Sequence, residues 1–361
     1  MKALDCLRPA SRDEALAMMR AAEAAPEEQH LWLAGGQSLV AAMKLGMATP
    51  SVLIDLQDVP GLRVIRVEPA ANGRDTLWIG AMATHASVAE SAVVQAFAPG
   101  LAELASGIAD PQVRQMGTIG GSLAHNDPAA CWPCGVLAAG ATVVTARREI
   151  AADDYFLGLY TTALEPGELI LGVRFPALAD FCYLKFEQAA SRFALTGVAV
   201  ARTASGAPDA VRVAITGLGH GVERWVPVEQ ALAANFNPAA LPGGASSGLN
   251  ALGDLHASAD YRRHLAWVLA RRCVQKLAAT AVPNPLPLSP RAPSATQRAA
   301  ASAAAPVAKP REGFGGHQRL NAPPEKVWQA ILDPRHLQAS IPGCENLTQH
   351  SAEDYAATVK V

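Results

Sequence analysis

The sequence predicts an α+β protein of more than one domain, and three observations carry that prediction. A short apolar run, 31–34, passes through Gly35-Gly36 into a helical segment and then into a second apolar run, 51–56. Between 77 and 175, short apolar runs of strand length alternate with helical segments. From about Phe181 the strands come first and a long helical stretch closes the region, the order of a separate small α+β domain. At roughly 100–200 residues per domain, the 361 residues suggest two or three domains.

The elements follow in order. Ser11 and Glu14 make a capping box, and Ala15, Leu16 and Met19 give the helix behind it an apolar face. Residues 31–34 and 51–56 read as strands and 39–44 as the helix between them, a strand–glycine turn–helix–strand unit. Residues 77–81 are the next strand, and Thr84 caps a helix from His85 to about Ser91. A helix covers 101–108, a second glycine loop follows near 118–122, and strands are expected at 141–145 and 169–175. Pro176 ends the latter. Strands at 182–187, 197–202 and 211–216 precede a helix over 261–279.

Composition narrows the function. Charged residues are 17% of the chain and the net charge is −2, so there is no basic footprint for nucleic acid. No apolar run reaches the roughly 20 residues that span a bilayer, and Asp5 stands where a signal peptide needs apolar residues. A cytoplasmic protein is expected. The six cysteines form no disulfide framework. Cys131 and Cys134 follow a loop-like Asp127–Ala130 stretch rather than a helix start and lack a second pair for zinc or a cluster, so they read as small apolar packing residues.

Four regions are expected: 1–177, 178–280, a Pro/Ala-rich linker over 281–311 that is extended and mobile, and a last segment, 312–361. In the last, Pro323-Pro324 opens a helix with Val327, Trp328, Ile331 and Leu332 on one face.

The two glycine stretches are the candidate site. Ala34-Gly35-Gly36-Gln37-Ser38-Leu39 and Thr118-Ile119-Gly120-Gly121-Ser122 each offer positive φ and open backbone N–H groups, the makings of an anion-binding nest for a diphosphate. Ser38, Thr118 and Ser122 add hydroxyl donors. The spacing is not the Rossmann G-x-G-x-x-G, and Gly217-Leu218-Gly219-His220-Gly221 reads as a turn at a strand end. His85 reads as a first-turn helix residue and His125 as part of the second loop. Neither has a carboxylate at pairing distance in sequence, so neither is given a proton-transfer role.

Ala34–Leu39, then Val52-Leu53-Ile54-Asp55-Leu56, Ile79-Gly80-Ala81 with Thr84-His85, and above all the run from Gln112 to Ala130, resemble the medium subunits of the carbon monoxide dehydrogenase and xanthine dehydrogenase family over about residues 1–280. Gln115-Met116 and Cys131 depart from the family's commoner residues at the loop edge. The resemblance implies a two-subdomain FAD-binding fold of the vanillyl-alcohol oxidase/PCMH type with a small C-terminal α+β domain. It implies that Ala34, Gly35, Gly36, Gln37, Ser38, Leu39, Thr118, Ile119, Gly120, Gly121 and Ser122 bind the FAD diphosphate. Asp127 would meet ribose or adenine-side hydroxyls, and Lys185 would approach the flavin. Taken alone, Asp127-Pro128 also reads as a turn opener and Lys185 as a solvated strand residue.

The same resemblance implies an electron-transfer subunit partnered by a molybdopterin-containing large subunit and a [2Fe-2S] small subunit. Gly313–His317, Pro323–Trp328 and 333–344 resemble the start of the G-type subunit family of carbon monoxide dehydrogenase, a START-like helix-grip fold. That resemblance implies membrane docking at the inner face, and a segment without its long closing helix, which another chain would have to complete. Two other readings stay open: a self-sufficient flavin oxidoreductase, and a docking adaptor with a degenerate flavin fold.

Overall fold

The computed structural model describes residues 4–23, 29–69, 75–203, 211–242 and 248–280, and the backbone of 344–349 and 355–359. The chain divides into two units, Met1–Leu286 and Pro287–Val361.

The first unit opens with β1 (Asp5–Leu7), α1 (Arg12–Glu23), β2 (His30–Leu33), α2 (Leu39–Lys44) and β3 (Val52–Asp55). β1 and β2 both pair with β3 in parallel. Parallel neighbours need a crossover, and the chain passes through α1 and α2 between these strands. The Ser11 hydroxyl accepts from the Glu14 N–H at 3.2 Å, but the Glu14 carboxylate returns to the Ala10 N–H at 2.7 Å, one residue earlier than a standard capping box.

A second layer follows: β4 (Ile65–Glu68), β5 (Thr76–Gly80), α3 (His85–Glu90), α4 (Ala92–Phe97), α5 (Pro99–Ser106), α6 (Pro111–Met116), α7 (Ile119–His125), α8 (Cys131–Ala139), β6 (Thr142–Thr145), β7 (Glu149–Ala151), α9 (Ala152–Tyr155), β8 (Phe156–Gly158), β9 (Thr161–Thr162) and β10 (Ile170–Phe175). Its sheet is antiparallel, in the order β4-β5-β10-β6-β7. Thr84 caps α3 as its sequence predicts, accepting from the Ser87 N–H at 3.1 Å.

Two sequence expectations are corrected here. The stretch 118–122 is not a loop. Thr118 caps α7, its hydroxyl accepting from the Gly121 N–H at 3.1 Å, and both glycines are helical. The Cys131–Cys134 pair does open a helix, α8, because a proline is tolerated in a first turn. Both thiols are nonetheless buried in the core, where desolvation pushes their pKa values up.

The third layer is β11 (Leu178–Glu187), β12 (Ala194–Thr203), β13 (Val211–Thr216), β14 (Glu223–Arg224), α10 (Val226–Ala234) and α11 (Ala259–Thr280). The sheet is antiparallel in chain order. Strand periodicity explains its two buried faces. Val198 and Val200 of β12 pack with Ala266, Ala270 and Val274 of α11, while Ala199 and Ala201 join the core that holds Val136 of α8. The turn after β13 holds Gly217, Gly219 and Gly221 at φ +86°, +99° and +128°, as a strand-end turn should.

Arg212 on β13 ties this sheet to the second layer. Its guanidinium donates to the Leu137 carbonyl at 2.9 Å and to both Asp153 carboxylate oxygens at 2.7 and 2.9 Å. Asp153 is partly exposed and can rehydrate, and the Leu137 carbonyl keeps the Gly140 N–H at 3.2 Å, so the main loss on removing Arg212 is the charge-assisted hydrogen bond of the guanidinium to that carbonyl. Arg212→Ala is expected to lower folding stability by about 2 kcal/mol, seen as a lower denaturant midpoint.

In the second unit β15 (Cys344–Gln349) and β16 (Tyr355–Val359) form an antiparallel pair. The expected linker and the helix after Pro323-Pro324 lie outside the described residues. Among the described residues, no helix is long and apolar enough to cross a membrane.

Candidate cofactor-binding site

The two glycine stretches meet. A Cβ on Gly35 would lie 1.9 Å from the Met116 carbonyl oxygen and 3.0 Å from the Gly117 Cα, so only glycine allows the two backbones to touch. The α7 side is sewn to the second layer: His85 N–H donates to Gly117 O at 2.9 Å, Ile119 N–H to Ala83 O at 3.1 Å and Gly120 N–H to Ala81 O at 2.9 Å. A Cβ on Gly120 would come within 2.6 Å of the Ala81 Cβ. Gly120 is therefore a close-packing residue.

The stretches differ in what they offer a ligand. In α7, the N–H groups of Ile119, Gly120, Gly121 and Ser122 all have protein acceptors. In the first stretch, none of the N–H groups of Gly35, Gly36, Gln37, Ser38 and Leu39 has one among the described residues. Gly36 sits at φ +68°, and the residues after it run into the first turn of α2. A run of unpaired N–H groups bent by a left-handed residue at a helix start is an anion nest. The Ser38 side chain makes no capping bond to α2.

Both stretches line a cleft of about 600 Å³, within the usual range for a bound small molecule or cofactor. Ala34, Gly35, Gly36, Gln37, Ser38 and Leu39 line it on one side, and Thr118, Gly120, Gly121, Ser122 and Asp127 on another. Ile119 is not at the surface: its side chain is fully buried in the core. Asp127 is partly committed as a turn residue, with one carboxylate oxygen accepting from the Ala129 N–H at 2.8 Å and the other 3.4 Å from the Tyr160 hydroxyl. Lys185 does not line the cleft. Its ammonium donates to the Arg192 carbonyl and lies 3.5 Å from Glu187. It holds the turn between β11 and β12, from which Ser191, Arg192 and Phe193 do line the cleft.

Two further residues line the cleft that the sequence does not assign to the site. Glu168 is buried: its carboxylate accepts from Thr145 at 2.7 Å, Arg148 at 3.1 Å and the Glu165 N–H at 2.8 Å. Burial alone would raise its pKa, but the Arg148 and backbone hydrogen bonds prevail and hold it down at about 2. A depressed carboxylate stabilises the fold above its ordinary value of 4.5, and that contribution fades as pH falls toward 2. Glu168→Gln is expected to cost about 2 kcal/mol at neutral pH, and the gap to the parent should close in acid denaturation titrations.

The other is His85. Its ring is buried at the start of α3, and its Nδ1 accepts from the Trp132 indole N–H at 3.0 Å. Burial, with Arg114 nearby, pushes its pKa down to about 4, so the imidazole is neutral. Trp132 lies on α8, far along the chain, and no spacing rule links the two.

The FAD binding domain in molybdopterin dehydrogenase matches residues 2–178, and the G-type subunit of carbon monoxide dehydrogenase (CoxG) matches 316–361. The carbon monoxide dehydrogenase medium chain of Hydrogenophaga pseudoflava is 36% identical over 67% of this chain and 87% of its own length. A solved carbon monoxide dehydrogenase from Oligotropha carboxidovorans superposes with TM-score 0.69 at 32% identity, over 77% of this chain and 99% of that one. Quinoline 2-oxidoreductase from Pseudomonas putida 86 gives TM-score 0.68 at 28% identity, over 78% and 99%. The nicotine 6-hydroxylase medium subunit of Paenarthrobacter nicotinovorans is 37% identical over 74% of this chain and 94% of its own length, and the chain belongs with these proteins to the FAD-binding medium subunits of the molybdenum hydroxylase family of oxidoreductases.

Proposed function

We propose that this chain is the electron-transfer subunit of a molybdenum hydroxylase complex and holds FAD in the cleft. A molybdopterin-containing large subunit oxidises the substrate, a [2Fe-2S] small subunit passes the electrons on, and they leave through FAD to an external acceptor. The observation that carries this reading is the run of unpaired N–H groups from Gly35 to Leu39 at the cleft. A diphosphate is the part of FAD that such a nest suits. Relatives named as medium subunits of nicotine 6-hydroxylase and carbon monoxide dehydrogenase support the assembly.

The chain's own residues bind and orient, while bound FAD supplies the redox chemistry. Ala34 to Leu39 hold the diphosphate, with Thr118, Ile119, Gly120, Gly121 and Ser122 as the packed wall behind it. Asp127 accepts from sugar hydroxyls, and Lys185 fixes the turn that closes the cleft. In the assembled complex, substrate should bleach the flavin absorbance, and the isolated chain with the same substrate should show no bleaching. Bleaching by the isolated chain would favour a self-sufficient oxidoreductase instead.

The match over 316–361 supports a further part of the proposal: the C-terminal segment docks the complex at the inner face of the membrane. The complex should then float with anionic vesicles, and deletion of 312–361 should abolish flotation. Equal flotation without that segment would remove this part.

A further inference from the structure

His85 has a ring N–H donor with no acceptor among the described residues. The Trp132 indole N–H can only donate, so the His85 Nδ1 that faces it at 3.0 Å must be the acceptor. A neutral imidazole with its lone pair at Nδ1 carries its proton at Nε2. Among the described residues, that Nε2–H has no protein acceptor. It is also not one of the polar atoms sealed in the interior without a partner, and His85 is among the residues that line the cleft. That edge of the ring is therefore not sealed off from the cleft.

The surroundings are built for this. Gly117 leaves the room: a Cβ there would lie 2.7 Å from the His85 Nε2. The same Gly117 has its Cα 3.0 Å from where a Cβ of Gly35 would be, so the ring and the nest flank one residue. The His85 N–H is bonded to the Gly117 carbonyl at 2.9 Å, which fixes the ring's root relative to that residue. Trp132 itself is fully buried and holds the far edge of the ring.

The geometry points to His85 as a cofactor-contacting residue: a neutral donor of fixed tautomer whose Nε2–H is given to an oxygen of the FAD diphosphate beside the Gly35–Leu39 nest. It adds a side-chain donor to the backbone donors, and Trp132 is its positioning residue. A donor that stays neutral gives direction without placing a cation in the wall, and its hydrogen bond forms only if the Trp132 bond keeps the proton on Nε2.

This inference rests on the cleft being the FAD site. The test uses the full chain labelled with ¹⁵N-histidine, with and without FAD, the His85 signals being assigned by their loss in His85→Phe. The FAD-free chain should show His85 protonated at Nε2, and FAD should move that proton downfield and slow its exchange. His85→Phe should bind FAD about tenfold more weakly, as expected for one lost donor to a charged acceptor. Trp132→Phe, which keeps the imidazole but unlocks its tautomer, should weaken FAD binding by a smaller factor and populate the Nδ1-protonated form. Riboflavin, which lacks the diphosphate, should leave the Nε2 proton unmoved. FAD binding with no change at Nε2, or a His85 protonated at Nδ1, would overturn the inference and leave the cleft assignment standing. No FAD binding at all would overturn the cleft assignment itself.

Discussion

Gly35→Ala should yield a chain with FAD affinity lowered at least about a hundredfold, equivalent to about 2.7 kcal/mol. The added methyl would stand 1.9 Å from the Met116 carbonyl oxygen and 2.7 Å from its carbon, both backbone atoms held by α6. One of the two backbones must move. The α7 side is fixed by its hydrogen bonds to Ala81 and Ala83, so the Gly35–Leu39 stretch is the part that yields. Its donors then leave their positions at the cleft. A hydrogen bond to a charged group is worth about 1.5–3 kcal/mol, so losing the alignment of two donors accounts for the effect. Folding stability should also fall by about 1–3 kcal/mol from overpacking. Gly46→Ala is the control: it sits at φ +71° just beyond α2, with open space around it. That change should cost roughly 1–2 kcal/mol of strain and leave FAD affinity unchanged. FAD titration by fluorescence quenching on both variants reads the contrast.

The second large effect is a loss of stability in mild acid that traces to His85. Burial, with Arg114 as the lesser cause, lowers its folded-state pKa from 6.5 to about 4. Between those values the unfolded chain takes up a proton that the folded chain refuses, so stability rises with pH across this window. Going down in pH, the loss begins near 6.5 and is complete below about 4, and amounts to about 3 kcal/mol. Urea titrations across that range should show the midpoint falling for the parent chain. His85→Phe should flatten that slope, because nothing remains at this position to titrate. A parent chain with no slope there would mean that the imidazole is not desolvated.

Much of this fold is legible because its determinants are local. The α2 helix runs over 39–44 as its apolar pattern and the glycines before it imply, and Thr84 caps α3 as its side chain permits. Other features depend on partners distant in sequence. Gly120-Gly121 reads as a loop in isolation, yet it is helical because α7 must press against Ala81, where no larger residue fits. The α6 helix is absent from the elements expected above, although Asp110-Pro111 is a good start signal: Asp110 accepts from the Val113 N–H at 2.8 Å. Lys185 stands on the expected strand, and its ammonium donates to the Arg192 carbonyl, a partner that no sequence spacing indicates. The Trp132–His85 bond, between α8 and α3, has no sequence signal at all.

The most direct test is a crystal structure of the chain with FAD. The diphosphate oxygens should lie within hydrogen-bonding distance of several N–H groups between Gly35 and Leu39, with the α7 N–H groups still bonded to Ala81, Ala83 and Thr118. A diphosphate held elsewhere, with the Gly35–Leu39 N–H groups bound only to water, would contradict the assignment of this cleft.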